Sequence, residues 1–149
     1  MLKLYIKRFD QLNVNELYEI LKLRQDIFIL EQQCLYLDID FIDEKSLHIY
    51  YQEKGKIIAY LRMFEKDTNT CQLGRIISLN RRQGFGTSLI NETLQLLKQE
   101  KKYAKVYVEA QKYAIEFYEK LGFYVISDVF LEDGIEHVKM GECNINRVS

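Results

Sequence analysis

Two glycines preceded by an arginine are the residues of this chain whose types and spacing most suggest chemistry. Gly84 and Gly86 lie between a segment with the period of a strand and one with the period of a helix. Glycine lets the backbone approach a ligand closely, and a helix N-terminus adds unpaired N–H groups and a positive dipole. The pattern indicates an anion site suited to phosphate, or a tight turn in which the glycines serve geometry alone.

Two common nucleotide-binding loops do not fit this spacing. A dinucleotide-binding loop needs a third glycine at position 89, which is Leu89. A P-loop needs a lysine before its Ser or Thr, whereas Thr87 follows Gly86 directly. We therefore disfavour both kinds of site.

The segments around the glycines predict a mixed α+β fold. Apolar residues with period two predict a first strand at Leu2–Ile6, and Asn13 with Glu16 forms a capping-box-like helix start. The next predicted elements are a helix through Phe28, an acidic loop at 31–45, hairpin strands at 46–52 and 57–64, a strand at 72–79, a helix at 86–101 and a strand at 105–108. A helix at 112–121 that closes on Gly122 and an antiparallel pair at 123–131 and 136–143 complete the order.

This order predicts a mostly antiparallel sheet with a central βαβ crossover and flanking helices. The helix at 86–101 joins two strands, which we expect to be parallel because a crossover of this kind connects parallel neighbours. A length of 149 residues and 48% hydrophobic content favour a single domain over residues 1–149.

Composition also limits the partners that we expect. The chain has 21 basic and 22 acidic residues, so it lacks the basic surface typical of nucleic-acid and anionic-membrane binders. No apolar run resembles a signal peptide or a membrane span, and we expect a cytoplasmic protein. Cys34, Cys71 and Cys143 are far apart without a CxxC pair, so we expect neither a metal site nor a disulfide.

Two motifs together resemble one enzyme family. Arg81-x-x-Gly84-x-Gly86 resembles the pyrophosphate-binding R/Q-x-x-G-x-G/A motif of the GNAT superfamily of acetyltransferases. A later segment resembles the A-x-x-F-Y-x-x-x-G-F pattern of the same family, at Ala114, Phe117, Tyr118, Gly122 and Phe123. The resemblance narrows to an ElaA-like branch through residues that include Leu23-Arg24, Phe28, Glu31-Gln32, His48, Gly74-Arg75, Ala110-Gln111 and Glu132-Asp133-Gly134-Ile135.

The resemblance implies an N-acetyltransferase of the GNAT fold that uses acetyl-CoA as cosubstrate. It places the cofactor on Ile76, Ile77, Arg81, Arg82, Gln83, Gly84, Phe85, Gly86, Thr87 and Tyr118. Within that set the amide of Ile77 is the expected donor to the thioester carbonyl. Tyr118 is the expected acid for the departing thiolate, and its alternative role is that of a core aromatic.

Direct transfer also requires a neutral amine, whereas an alkylamine with a pKa of about 10 is mostly protonated at pH 7. The candidate bases are Glu109 at the end of the parallel strand, Glu31 at the end of the first helix, and His137. Glu31 could equally be a polar helix terminus or a substrate anchor. We expect His48 to be a hydrogen-bonded strand histidine.

Three arginines in otherwise apolar elements allow two interpretations of the acceptor amine. Arg24, Arg62 and Arg75 either form ion pairs with Glu31, Asp40, Asp43 or Glu109, or hold an anionic acceptor together with Glu132, Asp133 and His137. The second interpretation favours a small anionic amine such as glucosamine 6-phosphate. Acetylation of a protein or peptide and a non-catalytic acetyl-CoA-binding module are the alternatives, and the family resemblance weakly suggests a homodimer.

Overall fold

A computed structural model of the chain describes residues 2–33, 36–79 and 84–142. Its strands are β1 (Leu2–Arg8), β2 (Leu47–Glu53), β3 (Lys56–Asp67), β4 (Thr70–Ser78), β5 (Lys105–Gln111), β6 (Tyr124–Val125), β7 (Phe130–Glu132) and β8 (Ile135–Glu142). Its α-helices are α1 (Val14–Arg24), α2 (Phe85–Glu100) and α3 (Ile115–Lys120). A π-helical segment (Gln25–Glu31) and 3₁₀ turns at Phe9–Gln11, Asp43–Lys45 and Lys112–Ala114 connect them.

The eight strands follow the order β1-β2-β3-β4-β5-β8-β6, and β7 pairs with β8. The pairs β1–β2, β2–β3, β5–β8, β6–β8 and β7–β8 are antiparallel, whereas β4 and β5 are parallel. The predicted mixed, mostly antiparallel sheet with one crossover is therefore confirmed. Residue contacts divide the described chain into a first unit, within 1–64 and 75–89, and a second unit, within 65–74 and 90–149.

The first unit contains the β1–β2–β3 meander and the start of α2. Its core includes Ile20, Tyr50, Ile57 and Tyr60, which are at most 1% exposed. The predicted hairpin turn is confirmed, because Lys54 and Gly55 both adopt positive φ, as a two-residue turn between antiparallel strands requires. The predicted capping box is also confirmed: the Glu16 amide donates to Asn13 Oδ1 at 2.8 Å, and the Asn13 amide donates to Glu16 Oε1 at 2.9 Å.

The first helix departs from the prediction at its C-terminal end. Regular α-helix ends at Arg24, and residues Gln25–Glu31 continue with π-helical geometry. The Gln32 amide donates to the Ile27 carbonyl at 3.2 Å, five residues back. A π-helical turn shifts the side chains that follow it around the axis, so the helical period predicted through Phe28 is not kept.

In the second unit, α3 ends in a Schellman motif. The Phe123 amide donates to the Tyr118 carbonyl at 3.1 Å, and the Gly122 amide donates to the Glu119 carbonyl at 3.0 Å. Gly122 has φ +98°, and an added Cβ would lie 2.5 Å from Glu142 Oε2. This confirms the predicted glycine cap and fixes the backbone at Tyr118.

The predicted strand at 123–131 is wrong in its continuity. Two short strands, β6 and β7, occupy its ends, and between them the Ser127 hydroxyl accepts a hydrogen bond from the Lys139 amide at 2.8 Å. Side-chain bonding of this kind replaces the regular ladder, which an alternation of apolar residues cannot reveal.

Among the described residues, no helix is both long enough and apolar enough to span a membrane. The cytoplasmic location and the single domain over 1–149 stay predictions.

Candidate active site

The glycine segment lies where β4 leads into α2, as the sequence predicts. Gly84 has φ +71°, and its carbonyl accepts a hydrogen bond from the Ser88 amide at 3.0 Å. Gly84 thus provides the first acceptor of α2, and the helix begins at Phe85. The amides of the first turn of α2 have no intrahelical acceptor, so this end of the helix suits an anion.

Gly86 is required for a close approach between α2 and β4. A Cβ added at Gly86 would lie 3.2 Å from the Cβ of Ser78, which ends β4. The ring of Phe85 contacts that of Tyr51 edge-on, with centroids 6.5 Å apart. The glycine therefore keeps the N-terminus of α2 directly against the end of the strand. Arg81, Arg82 and Gln83 lie outside the described residues.

β4 contains an irregularity at Arg75. This residue has φ +52°, a left-handed conformation that costs a non-glycine residue roughly 1–2 kcal/mol. The residues from Gly74 to Ile76 are half-buried, whereas Leu73 and Ile77 are buried. A single left-handed residue in a strand redirects the backbone amides that follow it. Ile76 and Ile77, both expected to lie on the cofactor, come directly after this irregularity.

Arg24 belongs to a buried ion network of the first unit. Its side chain is 0% exposed; Nε donates to Asp38 Oδ2 at 3.1 Å and Nη1 donates to Asp43 Oδ1 at 2.6 Å. Nη2 donates to the Asp38 carbonyl at 2.8 Å. Every guanidinium nitrogen of Arg24 thus has a protein acceptor, which favours the ion-pair interpretation for this residue.

Arg62 is held in the same way. Nη2 donates to Asp40 Oδ2 at 2.7 Å, and Nη1 donates to Asp40 Oδ1 at 2.9 Å and to Asp43 Oδ1 at 3.0 Å. Its Nε is buried without a hydrogen-bond partner in the described part of the chain. A guanidinium charge this deeply buried is tolerated because the hydrogen-bonded carboxylates of Asp40 and Asp43 compensate it.

Arg75 completes the network from β4. Nε donates to Asp38 Oδ1 at 2.9 Å, and Nη2 donates to the Asp38 carbonyl at 3.1 Å and to Asp40 Oδ2 at 3.3 Å. The guanidinium also lies over the ring of Tyr36, 5.2 Å from its centroid. Three arginines and three aspartates balance in charge, which favours the ion-pair interpretation over an anionic ligand for all three.

The network shifts the titration of its carboxylates. Burial alone would raise the pKa of Asp40, but the hydrogen bonds from Arg62 lower it to about 2. For Asp43 the hydrogen bonds and charges of Arg24 and Arg62 likewise outweigh burial and lower the pKa. Both groups are therefore ionised at neutral pH, as paired carboxylates should be.

His48 is a hydrogen-bonded strand histidine, as expected. Nε2 lies 2.9 Å from the Asp43 carbonyl, which can only accept, so Nε2 carries the proton and Nδ1 accepts from the Tyr60 hydroxyl at 2.7 Å. Burial lowers the pKa of His48, and the imidazole is neutral at pH 7. Both ring nitrogens are occupied within the core.

Tyr118 lies on α3 of the second unit between two aromatic rings. Its ring meets that of Phe117 at 5.1 Å and that of Phe123 at 5.8 Å between centroids, both edge-on. Burial, with a smaller effect of Tyr113, raises the pKa of the Tyr118 phenol, which therefore keeps its proton at neutral pH. Among the described residues its hydroxyl has no hydrogen-bond partner.

The other candidate acid–base residues of the second unit gather at one end of β5 and β8. The register places Glu109 opposite Lys139 and Gln111 opposite His137. Burial, together with the nearby carboxyl group of Glu109, raises the pKa of Glu132. A carboxyl group with a raised pKa holds its proton to a higher pH than an ordinary glutamate, which suits Glu132 to proton transfer.

His137 has one ring nitrogen directed to this pair. Nδ1 donates to the Ile135 carbonyl at 2.8 Å, so in the neutral ring Nε2 carries the lone pair. Nε2 lies 3.8 Å from Glu132 Oε2, and the ring of Phe130 stacks on the imidazole with centroids 5.9 Å apart. Glu109, Glu132 and His137 thus form one acid–base group. Asp133 has φ +52° in the adjoining turn.

Glu31 ends the π-helical segment and is exposed. Cys71 is a buried thiol whose pKa burial raises to about 12, so it is unsuited to be a nucleophile. Cys34 and Cys143 lie outside the described residues. Within residues 2–33, 36–79 and 84–142, no three His, Cys, Asp or Glu side chains are arranged to hold a metal ion.

A comparison with protein families matches residues 23–142 to the acetyltransferase (GNAT) domain. The chain belongs to the GNAT acetyltransferase family. This GNAT protein is 38% identical to the UPF0039 protein C11D3.02c of Schizosaccharomyces pombe, over 93% of this chain and 95% of that protein. The crystal structure of Escherichia coli ElaA superposes with a TM-score of 0.87 at 30% identity, covering 95% of this chain and 99% of ElaA.

An acyl-CoA N-acyltransferase from Pseudomonas aeruginosa is similarly close, with a TM-score of 0.86 at 30% identity over 94% of this chain and 99% of that one. The GNAT protein is thus an acetyl-CoA-dependent N-acetyltransferase of the GNAT fold, as the two sequence motifs predicted.

The sequence did not indicate that Asp38 belongs to the ion network, although it indicated Asp40 and Asp43 as possible partners of the arginines. Asp38 contacts both Arg24 and Arg75. One signal was available: from Leu37 to Phe41 large apolar residues alternate with aspartates, and the structure exposes the apolar residues while the aspartates are half-buried.

Proposed function

We propose that this enzyme transfers the acetyl group of acetyl-CoA directly to a small primary amine. The observation that carries the proposal is the N-terminus of α2, where left-handed Gly84 provides the first helical acceptor and Gly86 keeps the helix against Ser78. Unpaired amides and the helix dipole would hold the CoA pyrophosphate there. Phe85, Thr87 and the loop residues Arg81, Arg82 and Gln83 are proposed to complete that site.

The thioester carbonyl is proposed to accept a hydrogen bond from the Ile77 amide, with Ile76 beside it. The support is the left-handed residue Arg75 immediately before them, since it turns the strand's amides out of their regular alternation. A fixed backbone donor stabilises the negative charge that develops on this oxygen during transfer.

Tyr118 is proposed to protonate the departing thiolate of CoA. Its raised pKa means that the phenol is protonated throughout the physiological range, which an acid requires. Its hydroxyl is not bonded to any other described residue, and so could meet a ligand sulfur.

Glu109 is proposed as the base that receives the amine proton. The support is the neighbouring Glu132, whose pKa burial and Glu109 raise, and His137 Nε2, which lies 3.8 Å from Glu132 Oε2; together they offer a route along which that proton can leave. Glu31 is the alternative base or substrate anchor, and Asp133 is proposed as an acceptor contact.

The chemical class of the amine is inferred from the charged residues that surround the proposed base. Glucosamine 6-phosphate was suggested by three arginines, but Arg24, Arg62 and Arg75 are paired with aspartates. The proposed base Glu109 instead lies beside a second carboxyl group, that of Glu132. We therefore propose that neutral or cationic amines are acetylated faster than phosphorylated ones.

A thiol-release assay with acetyl-CoA and a panel of amines tests the function. Polyamines, glucosamine, glucosamine 6-phosphate and lysine-containing peptides form the panel. We expect amine-dependent release of CoA, faster with polyamines than with glucosamine 6-phosphate. Release with peptides alone would favour a protein acetyltransferase. Tight acetyl-CoA binding without release for any amine would favour the non-catalytic module.

A further inference from the structure

The segment 36–40 holds the irregular residue of β4 by its side chain. Arg75 has positive φ in the middle of a strand, where this conformation is unfavourable for arginine. Its guanidinium is fixed by the Asp38 carboxylate, the Asp38 carbonyl and Asp40, and it lies over Tyr36. Four contacts on one flexible side chain leave the backbone at Arg75 little freedom to return to an extended conformation.

Asp38 is itself rigidly placed. Its side chain is 10% exposed, and its two carboxylate oxygens accept from Arg75 and Arg24 respectively. The Tyr36 hydroxyl donates to the oxygen that Arg75 also contacts, at 2.9 Å. Arg24 is fully buried at the end of α1, so Asp38 connects a fixed point of the helix to the irregularity in β4.

We infer that Asp38 is a positioning residue for acetyl transfer: through Arg75 it keeps β4 in the conformation that aims the amide of Ile77. This inference rests on the proposed function of that amide and assigns its geometry to a side chain far along the sequence. Asp38 does not touch the reacting atoms. It acts because the left-handed conformation at position 75 depends on the ion pairs of the side chain there.

Two substitutions at position 75 separate backbone conformation from charge. Arg75→Gly and Arg75→Ala both remove the guanidinium and leave Asp38 and Asp40 without it. Glycine adopts φ +52° without strain, whereas alanine favours an extended strand. We expect Arg75→Gly to keep kcat within about threefold of wild type and Arg75→Ala to lower it by about tenfold or more. Loss of a backbone amide that donates to the thioester oxygen costs up to about 10²–10³ in kcat.

Asp38→Asn tests whether Asp38 acts through Arg75. We expect it to lower kcat by about tenfold with little change in KM for acetyl-CoA, because the proposed pyrophosphate site is elsewhere. In the Arg75→Gly background the same change should have less than about a twofold effect, since the connection to Arg75 is already absent. Asp43→Asn is the matched control: Asp43 pairs with Arg24 and Arg62, so this variant loses network charge while leaving the Arg75 contacts in place.

The infrared carbonyl stretch of bound ¹³C-acetyl-CoA gives a second readout that needs no turnover. A hydrogen bond to the thioester oxygen lowers this frequency. We expect the lowered frequency in wild type, Arg75→Gly and Asp43→Asn, and a frequency closer to that in water in Arg75→Ala and Asp38→Asn. If the wild-type protein bound acetyl-CoA but acetylated no amine, the proposed function would be wrong. The carbonyl frequencies of the variants would still test whether Asp38 positions the Ile77 amide.

Three results would overturn the inference. They are equal kcat and carbonyl frequency for Arg75→Ala and Arg75→Gly, an effect of Asp43→Asn as large as that of Asp38→Asn, and an undiminished effect of Asp38→Asn in the Arg75→Gly background. If Asp38→Asn does not fold, the two position-75 variants decide alone, because they leave the Asp38–Arg24 pair intact.

Discussion

Tyr118 shows how burial can prepare a single residue for chemistry. Its ring is wedged between Phe117 and Phe123, and its backbone carbonyl accepts from the Phe123 amide in the cap of α3. The ring therefore has little freedom to move, and the surrounding apolar groups raise the pKa of the phenol. A core aromatic and a proton donor are thus compatible roles for one side chain.

Tyr118→Phe should lower kcat by about 100-fold, the lower range for loss of a general acid, while KM for acetyl-CoA changes little. Initial rates of CoA release measure both constants. Tyr113→Phe is the control, because Tyr113 is 79% exposed on the preceding turn. Loss of acetyl-CoA affinity with unchanged kcat would show that Tyr118 is a binding residue only.

Glu109→Gln should lower kcat by about 100-fold if Glu109 is the base, since glutamine cannot accept the amine proton. Glu136→Gln is the matched control: Glu136 is an exposed carboxylate of β8 that pairs with Lys112 at 3.3 Å. It should behave as wild type. A Glu109→Gln enzyme within twofold of wild type, beside an inactive His137→Gln enzyme, would move the role of base to His137.

At the scale of elements, the junction of β4 and α2 carries the cofactor proposal. Gly84 and Gly86 have different roles at this junction. Gly84 adopts a positive φ and has no atom within 4 Å of an added Cβ, whereas Gly86 lets α2 approach Ser78 closely. The sequence predicted that both glycines lie at a strand-to-helix junction, because a strand period gives way to a helix period at this point, but it did not predict their separate roles.

Gly84→Ala should raise KM for acetyl-CoA at least several-fold, and should lower stability by about 1 kcal/mol because alanine is strained at positive φ. Gly55→Ala is a closely matched control. Gly55 has φ +78° against +71° for Gly84, and neither has an atom within 4 Å of an added Cβ. Urea denaturation should show similar losses of stability, with a change in KM only for Gly84→Ala. Equal KM values would contradict a cofactor role for Gly84.

The elements that could be read from sequence are those set by local patterns. The capping box at Asn13, the hairpin at Gly55 and the cap at Gly122 depend on residues a few positions apart. The left-handed Arg75 and the π-helical Gln25–Glu31 segment could not be read in this way. Arg75 depends on Asp38, which is 37 residues away, and the neighbouring Gly74 does not by itself indicate a left-handed residue at position 75.

At the scale of the whole molecule, the buried charges of the first unit set its response to acid. Asp40 has a pKa of about 2 against an ordinary value of 3.8, and the pKa of His48 lies below 6.5. In both cases the unfolded chain takes up a proton at a higher pH than the folded one, so acid favours unfolding.

The free energy of unfolding should therefore begin to fall below about pH 6.5, through His48, and fall more steeply between about pH 4 and 2, through Asp40. Urea denaturation at pH 7.5, 5.5, 4 and 2 measures this. Asp40→Asn should be less stable at pH 7.5 and should lose less between pH 4 and 2. A wild-type free energy constant from pH 7.5 to 2 would contradict the assigned protonation states.

The same network explains why the fold and family could be predicted while the acceptor could not. The two glycine-containing motifs are local, and the matched family confirms what they implied. The role of an arginine depends on which carboxylates the fold brings to it. The sequence allows either an anionic ligand or an aspartate as the partner of Arg24, Arg62 and Arg75. Their pairing with Asp38, Asp40 and Asp43 in three dimensions favours the aspartates.

Quenched single-turnover analysis by mass spectrometry tests direct transfer to an amine most directly. Enzyme in excess over acetyl-CoA is mixed with spermidine, and CoA, acetylated amine and intact protein are quantified over time. Direct transfer predicts that acetylated amine and CoA appear together in equal amounts while the protein mass stays unchanged. Release of CoA without acetylated amine, or an acetylated protein that forms before the product, would contradict it.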